Sequence, residues 1–143
     1  MIETFRVQTF KALRDVTLNL TPIHLLIGPN DSGKTSLLEA MAALSRSTEL
    51  SLAQAFGGRW EGLDLVTDRD GERAIALDAS VRELDGLRYE VAAQFPPAGR
   101  NARVADEAIV QNDRRYDLKP QFRNQASETQ SQSVTAGHVG RIE

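Results

Sequence analysis

Eight consecutive residues, Gly28-Pro29-Asn30-Asp31-Ser32-Gly33-Lys34-Thr35, carry the spacing G-x-x-x-x-G-K-[ST], and their chemistry is that of a phosphate cradle. Gly28 and Gly33 put no Cβ in the way of a tight turn, so successive backbone N–H groups converge on one concavity sized for phosphate oxygens. A helix opening near Lys34 adds the positive end of its dipole. The Lys34 ammonium reaches the β and γ phosphates as a point charge, and the Thr35 hydroxyl is placed to ligate Mg²⁺. Ser36 follows as a further phosphate donor. The bland alternative is a Gly-Pro-Asn turn feeding a helix, with Lys34 a solvated charge. Context weighs against it, because the motif requires a strand before the loop and a helix after it, and the pattern offers both.

The strand is Ile23-His24-Leu25-Leu26-Ile27, a near-continuous apolar run that reads as buried on both faces. The helix runs from Lys34 to about Ser45, with Leu37, Leu38, Met41 and Leu44 at helical spacing and no Pro or Gly to interrupt. Before the loop, Phe5, Val7 and Thr9 share one parity and Val16, Leu18 and Leu20 another, so two strands joined by a turn over Lys11 to Asp15 are expected. After it, a short helix is expected from Thr48 as N-cap, burying Leu50, Ala53 and Phe56 and stopping at Gly57-Gly58.

From Arg73 the period changes to two. Ile75, Leu77, Ala79 and Val81 are answered by Leu87, Tyr89, Val91, Ala93 and Phe95 across Asp85-Gly86, a strong hairpin signal. A second hairpin is expected from Glu107 through Val110, turning at Asn112-Asp113 and returning through Tyr116 to Leu118. Residues 1–119 thus read as one lobe, with hairpins over about 73–118, and 120–143 as a polar, disordered tail or linker. In that tail, ten of the fifteen residues from Gln121 to Thr135 are Ser, Thr, Asn or Gln, too polar to bury a core.

Composition excludes several chemistries. With no cysteine and 2 histidines among 143 residues there is no disulfide scaffold, thiolate zinc site or cysteine nucleophile. The net charge of −3 writes no overall attraction for nucleic acid into the chain, so DNA binding is possible only locally or through a partner. No apolar run is long enough to span a bilayer and the N-terminus lacks a signal-peptide pattern, so a cytoplasmic location is expected.

Other residues read more plainly. His24 is expected to pack within its strand and His138 lies in the tail without a partner. Trp60 and Arg59 fit a core or interface as well as a base stack, and Glu83, Asp85 and Glu90 spread around a hairpin without converging. Leu63-Asp64-Leu65-Val66-Thr67-Asp68 reads as a surface connection.

Phe10-Lys11-Ala12-Leu13-Arg14-Asp15-Val16, then Leu25-Leu26-Ile27-Gly28-Pro29-Asn30 and Ser32-Gly33-Lys34-Thr35-Ser36-Leu37-Leu38-Glu39-Ala40, resemble the start of an AAA-type ATPase of the RecF, SMC and OLD group. The match covers roughly the first 45 residues, and Arg103 to Glu107 is similar to a later segment of the same lobe. The resemblance implies an α/β, ABC-type P-loop NTPase fold, here an incomplete N-terminal lobe with an antiparallel β subdomain. It also implies ATP and Mg²⁺ as ligands, basic residues near the nucleotide, where Lys11 and Arg14 stand although a solvated turn fits them equally, and a Mg²⁺-sensing glutamine, for which Gln94 and Gln111 are candidates although a solvent-facing strand position fits each better. The Walker B strand, signature loop and switch histidine of such machines have no counterpart in this sequence. A C-terminal lobe or partner subunit would supply them, with a homodimer as the complete form.

Two functions follow from these readings. One is an ATPase part that binds ATP through residues 28–36, uses Lys34 in catalysis and Thr35 on the metal, and hydrolyses only when completed by a second lobe. The other is a regulatory or structural module that holds the nucleotide without hydrolysing it.

Overall fold

The computed structural model describes residues 1–56, 62–69, 73–84, 86–95 and 102–118. Gly57-Gly58, Arg59, Trp60, Asp85 and the tail 120–143 with His138 lie outside the described residues. Among the described residues six strands form one antiparallel sheet: β1 (Ile2–Phe10), β2 (Leu13–Asn19), β3 (Ala74–Val81), β4 (Leu87–Gln94), β5 (Arg103–Gln111) and β6 (Arg114–Asp117), in the order β2-β1-β3-β4-β5-β6. Alternation along each strand sorts the side chains. The register lines up Val16, Val7, Leu77, Val91 and Glu107 as one row across the sheet, and Leu18, Phe5, Ala79, Tyr89 and Ile109 as the next.

Helix α1 (Lys34–Ser47) lies on that face against β1 and β3. Its buried stripe is Leu37, Ala40, Ala43, Leu44 and Ser47, so the small alanines face the sheet and Leu38, expected inside, is 58% exposed. Small side chains let the helix approach the sheet closely, which a Leu-rich stripe would prevent. The next helix, α2 (Leu52–Ala55), starts later than expected. Ser51 is its N-cap, in a capping box with Gln54, while Thr48 closes α1 instead and Leu50 is 40% exposed. Phe56, just past α2, bridges Phe10 at 6.2 Å and Phe95 at 5.3 Å between ring centroids, closing the core at one end of the sheet.

The hairpins form where the period-two runs end. Asn112 and Asp113, with φ of 49° and 59°, make the two-residue turn from β5 to β6. The β3–β4 connection is longer than an Asp-Gly turn, since Val81 pairs with Leu87 and residues 82–84 form a 3₁₀ turn before Gly86. Between β1 and β2 the turn is shorter than expected: Phe10 pairs with Leu13, leaving only Lys11 and Ala12 at the tip.

The opposite face is charged. Arg6 donates to Asp15, whose carboxyl is held below the usual carboxylate range by that bond. Asp78, next to Arg6 in register, is pushed up because burial disfavours its charge, with Arg88 and Arg6 offsetting part of the shift. Glu90, Asp106 and Asp117 meet at Arg115 while Glu83 binds the N-terminal ammonium, so Glu83 and Glu90 go to different partners.

One expected element is not formed. Residues 23–27 belong to no strand, and Ile23, Leu25 and Ile27 are 91%, 77% and 84% exposed, with His24 exposed as well. Such a run needs a hydrogen-bonded neighbour and a covering layer to become a buried strand. All strand pairings among the described residues are antiparallel, and none lies beside it. The parallel, helix-covered sheet expected of an α/β fold is therefore not formed by the described residues.

Candidate phosphate-binding site

Residues 28–33 follow that exposed run and turn into α1. Gly33 is the helix N-cap with φ of 86°, a left-handed conformation that side chains rarely adopt. A Cβ there would also stand 2.9 Å from Leu13 Cδ2, so Gly33 lets loop and hairpin touch. At Gly28 a Cβ would meet Ser32 Oγ at 2.9 Å. Asp31 takes φ of 65°, and the Ser32 N–H reaches the Pro29 carbonyl at 3.4 Å.

Lys34 folds back over the loop. Its Nζ donates to the carbonyls of Gly28 at 2.8 Å and Pro29 at 2.5 Å, and to Ser32 Oγ at 3.1 Å. The ammonium is thus already held above the concavity. Among the described residues no side chain caps the N-terminus of α1, and its first turn carries no acid, so the helix end is open to an anion. Asn30, Asp31, Gly33, Lys34, Thr35 and Ser36 line a cleft of ≈ 410 Å³ together with Ala12 from the β1–β2 tip.

The donor set suits a Mg²⁺ ion only in part. Thr35 is exposed and lines the cleft, so its hydroxyl can serve as one oxygen ligand. Among the described residues no group of three or more Asp, Glu or His side chains is gathered for a metal. A Mg²⁺ ion held here would complete its octahedron with phosphate oxygens and water, which is its usual habit.

The two basic residues of the tip point elsewhere. Lys11 pairs with Glu39 of α1 and lies over the Phe10 ring, 5.4 Å from its centroid. Arg14 pairs with Asp68 at 3.2 Å. Ala12, which the sequence did not single out, is the tip residue that lines the cleft; a small side chain between two long ones leaves no pattern to read. Residues 62–69 are more than a surface connection. Leu65 and Val66 are buried, Phe10 bridges to Val66, and the Lys11 N–H donates to the Leu65 carbonyl at 2.8 Å.

Register separates the two glutamines. Gln94 pairs with Ala74 and Arg103 at the end of the sheet where Thr9 Oγ1 bonds the Ala74 carbonyl, next to the β1–β2 tip. Gln111, beside Arg114 and one place from the Val110–Arg88 pair, lies at the far end. Only Gln94 shares an end with the loop.

The loop has the spacing of a phosphate loop and opens a helix that packs on the sheet, the setting such a loop requires. The AAA ATPase domain family matches residues 1–130, and the chain belongs to that family. It is 35% identical over 105 residues to the cytochrome c biogenesis ATP-binding export protein CcmA of Methylococcus capsulatus, covering 66% of this chain and 44% of that protein. It is 39% identical over 92 residues to the DNA replication and repair protein RecF of Azotobacter vinelandii (50% of this chain, 25% of that protein). With RecF of Chlamydia abortus the identity is 32% over 76 residues, covering 49% of this chain and 21% of that protein. The chain spans less than half the length of each of these relatives. The resemblance to the RecF group is thereby upheld at the level of the ATPase domain family. No helix among the described residues is long and apolar enough to cross a membrane.

Proposed function

We propose that the chain binds ATP with Mg²⁺ through residues 28–36 and acts as the N-terminal lobe of a RecF-like, ABC-type α/β ATPase. The observation that carries this reading is the Lys34 ammonium poised over the loop carbonyls beside an uncapped helix N-terminus. In it, Lys34 leaves those carbonyls for the β and γ phosphate oxygens, while the backbone N–H groups of residues 31–36 wrap the phosphates and Thr35 offers its hydroxyl to the metal. The ion would supply charge neutralisation between the β and γ oxygens. A second lobe, from the same polypeptide or a partner subunit, would contribute the acid that orients water, with a homodimer as the active form. The apolar run 23–27 supports that part, since Ile23, Leu25 and Ile27 present an uncovered surface next to the loop.

A second reading, a module that holds nucleotide without hydrolysing it, draws support from the cleft itself. Among the described residues Asp31 is its one acidic lining residue, and it lies within the loop 28–35. Titration of the chain with Mg²⁺-ATP, followed by calorimetry, tests the shared core of both readings: binding that Lys34→Ala removes upholds it, and equal affinity in the two proteins refutes it. Turnover on adding the second lobe then favours the ATPase, and binding without turnover favours the module.

A further inference from the structure

We infer that Thr67 is a positioning residue for the phosphate loop, acting through the β1–β2 tip; this rests on the nucleotide reading of residues 28–36. Thr67 is 5% exposed, and its hydroxyl lies 2.9 Å from the Lys11 carbonyl and 3.1 Å from the Leu13 carbonyl. Those two carbonyls flank Ala12, the tip residue that lines the cleft. One hydroxyl has one proton, so it is shared between the two acceptors and draws both toward a single point. The tip is thereby pinned to the 62–69 segment.

What is pinned touches the loop directly. Leu13 Cδ2 is so near Gly33 that a methyl there would stand 2.9 Å away, and Gly33 is the N-cap from which Lys34, Thr35 and Ser36 are launched. Displacing the Ala12–Leu13 backbone by a few tenths of an ångström therefore moves a wall against which the loop turns. Two more features hold Thr67 in place. Phe10 bridges to Val66, and the Lys11 N–H bonds the Leu65 carbonyl, so the tip and the 62–69 segment are laced together just before the hydroxyl. Immediately after it, Asp68 and Arg69 both take positive φ, 59° and 53°, a costly pair of left-handed residues outside glycine. That sharp turn ends the segment beneath the tip, and the Arg14–Asp68 ion pair closes over it.

The test compares Thr67→Val, which keeps the shape and deletes the hydroxyl, with Thr67→Ser, which keeps the hydroxyl. Thr4→Val serves as a control at the far end of β1, where the Thr4 hydroxyl pairs with Ser80 Oγ at 2.6 Å and is remote from the loop. Mg²⁺-ATP affinity is measured well below every variant's melting temperature, and the Gly33 amide resonance is followed without nucleotide. The expected result is a loss of affinity of about three- to tenfold in Thr67→Val, the scale of one hydrogen bond, with near-parent affinity in Thr67→Ser and Thr4→Val. The Gly33 resonance should shift in Thr67→Val alone. Parent-like affinity and an unmoved Gly33 resonance in Thr67→Val would overturn the assignment, as would an equal affinity loss in Thr4→Val. Should the parent chain bind no nucleotide, the nucleotide reading fails, and an unmoved Gly33 resonance would then reject the brace separately.

Discussion

The sheet and the segment from Thr21 to Gly33 carry comparable runs of apolar residues and meet opposite fates. In the sheet, each strand finds an antiparallel neighbour in register, and the rows through Val7 and Phe5 sink beneath α1. In the segment, Ile23, Leu25 and Ile27 stay in solvent. A hairpin closes its hydrogen bonds with residues a few positions away, whereas a strand buried on both faces depends on neighbours brought from afar. Among the described residues, four of the five strand pairings join strands consecutive in sequence and only β1 with β3 closes from afar, whereas the candidate site sits where pairing stops.

The largest expected effect tests the stable half of that contrast. Phe5→Ala empties a fully buried site in the row between Leu18 and Ala79 and should destabilise the chain by about 3–5 kcal/mol in chemical denaturation. Leu25→Ser, an equally drastic change of polarity, should move stability by no more than about 0.5 kcal/mol because the side chain is already in water. A large loss from Leu25→Ser would mean the segment is packed after all. Next, Lys34→Ala should cut Mg²⁺-ATP affinity at least tenfold, about 1.4 kcal/mol, while leaving the melting temperature nearly unchanged, since the hydrogen bonds it removes lie on the exposed loop.

The smallest effects come from the charged face, and they have opposite signs. Asp78 is raised by burial, so its negative charge opposes folding at neutral pH and that opposition fades as pH falls through its folded value. Asp78→Asn should therefore raise the melting temperature by about 1–2 °C at pH 7 and give no gain below the ordinary carboxylate range. Asp15 is lowered by Arg6, so its stabilisation is present above the ordinary carboxylate range and lost as pH falls through its folded value. Asp15→Asn should lower the melting temperature slightly at pH 7 and be silent in acid. Melting curves at several pH values separate the two.

Patterns that depend on near neighbours in sequence were legible. The period-two runs around Leu77 and Val91 predicted the central hairpin, Asn112-Asp113 predicted a turn, and the glycine and lysine spacing predicted a loop entering a helix at Lys34. The helix face differs at Leu38, because hydrophobicity alone cannot tell that Ala40 and Ala43 take the buried face and Leu38 the exposed one. The run 23–27 was misread as a formed strand, since its composition reports a preference and says nothing of a neighbour to pair with. Ala12 and Thr67 were invisible for another reason. Thr67 acts through bonds across 56 positions of chain to Lys11, and Ala12 through a cleft it shares with residues 30–36, and no local pattern records either.

The exposed run also bears on how the chain behaves in concentrated solution. Pro22 and Pro29 stand at its two ends, and each removes a backbone donor and fixes its own φ. Chains that meet through uncovered strand-like segments add to one another by extending ladders of N–H and C=O groups. Here any such ladder can lengthen over only the six residues from Ile23 to Gly28 before a proline interrupts it. The two prolines act as gatekeepers, limiting sticky encounters between molecules to short contacts.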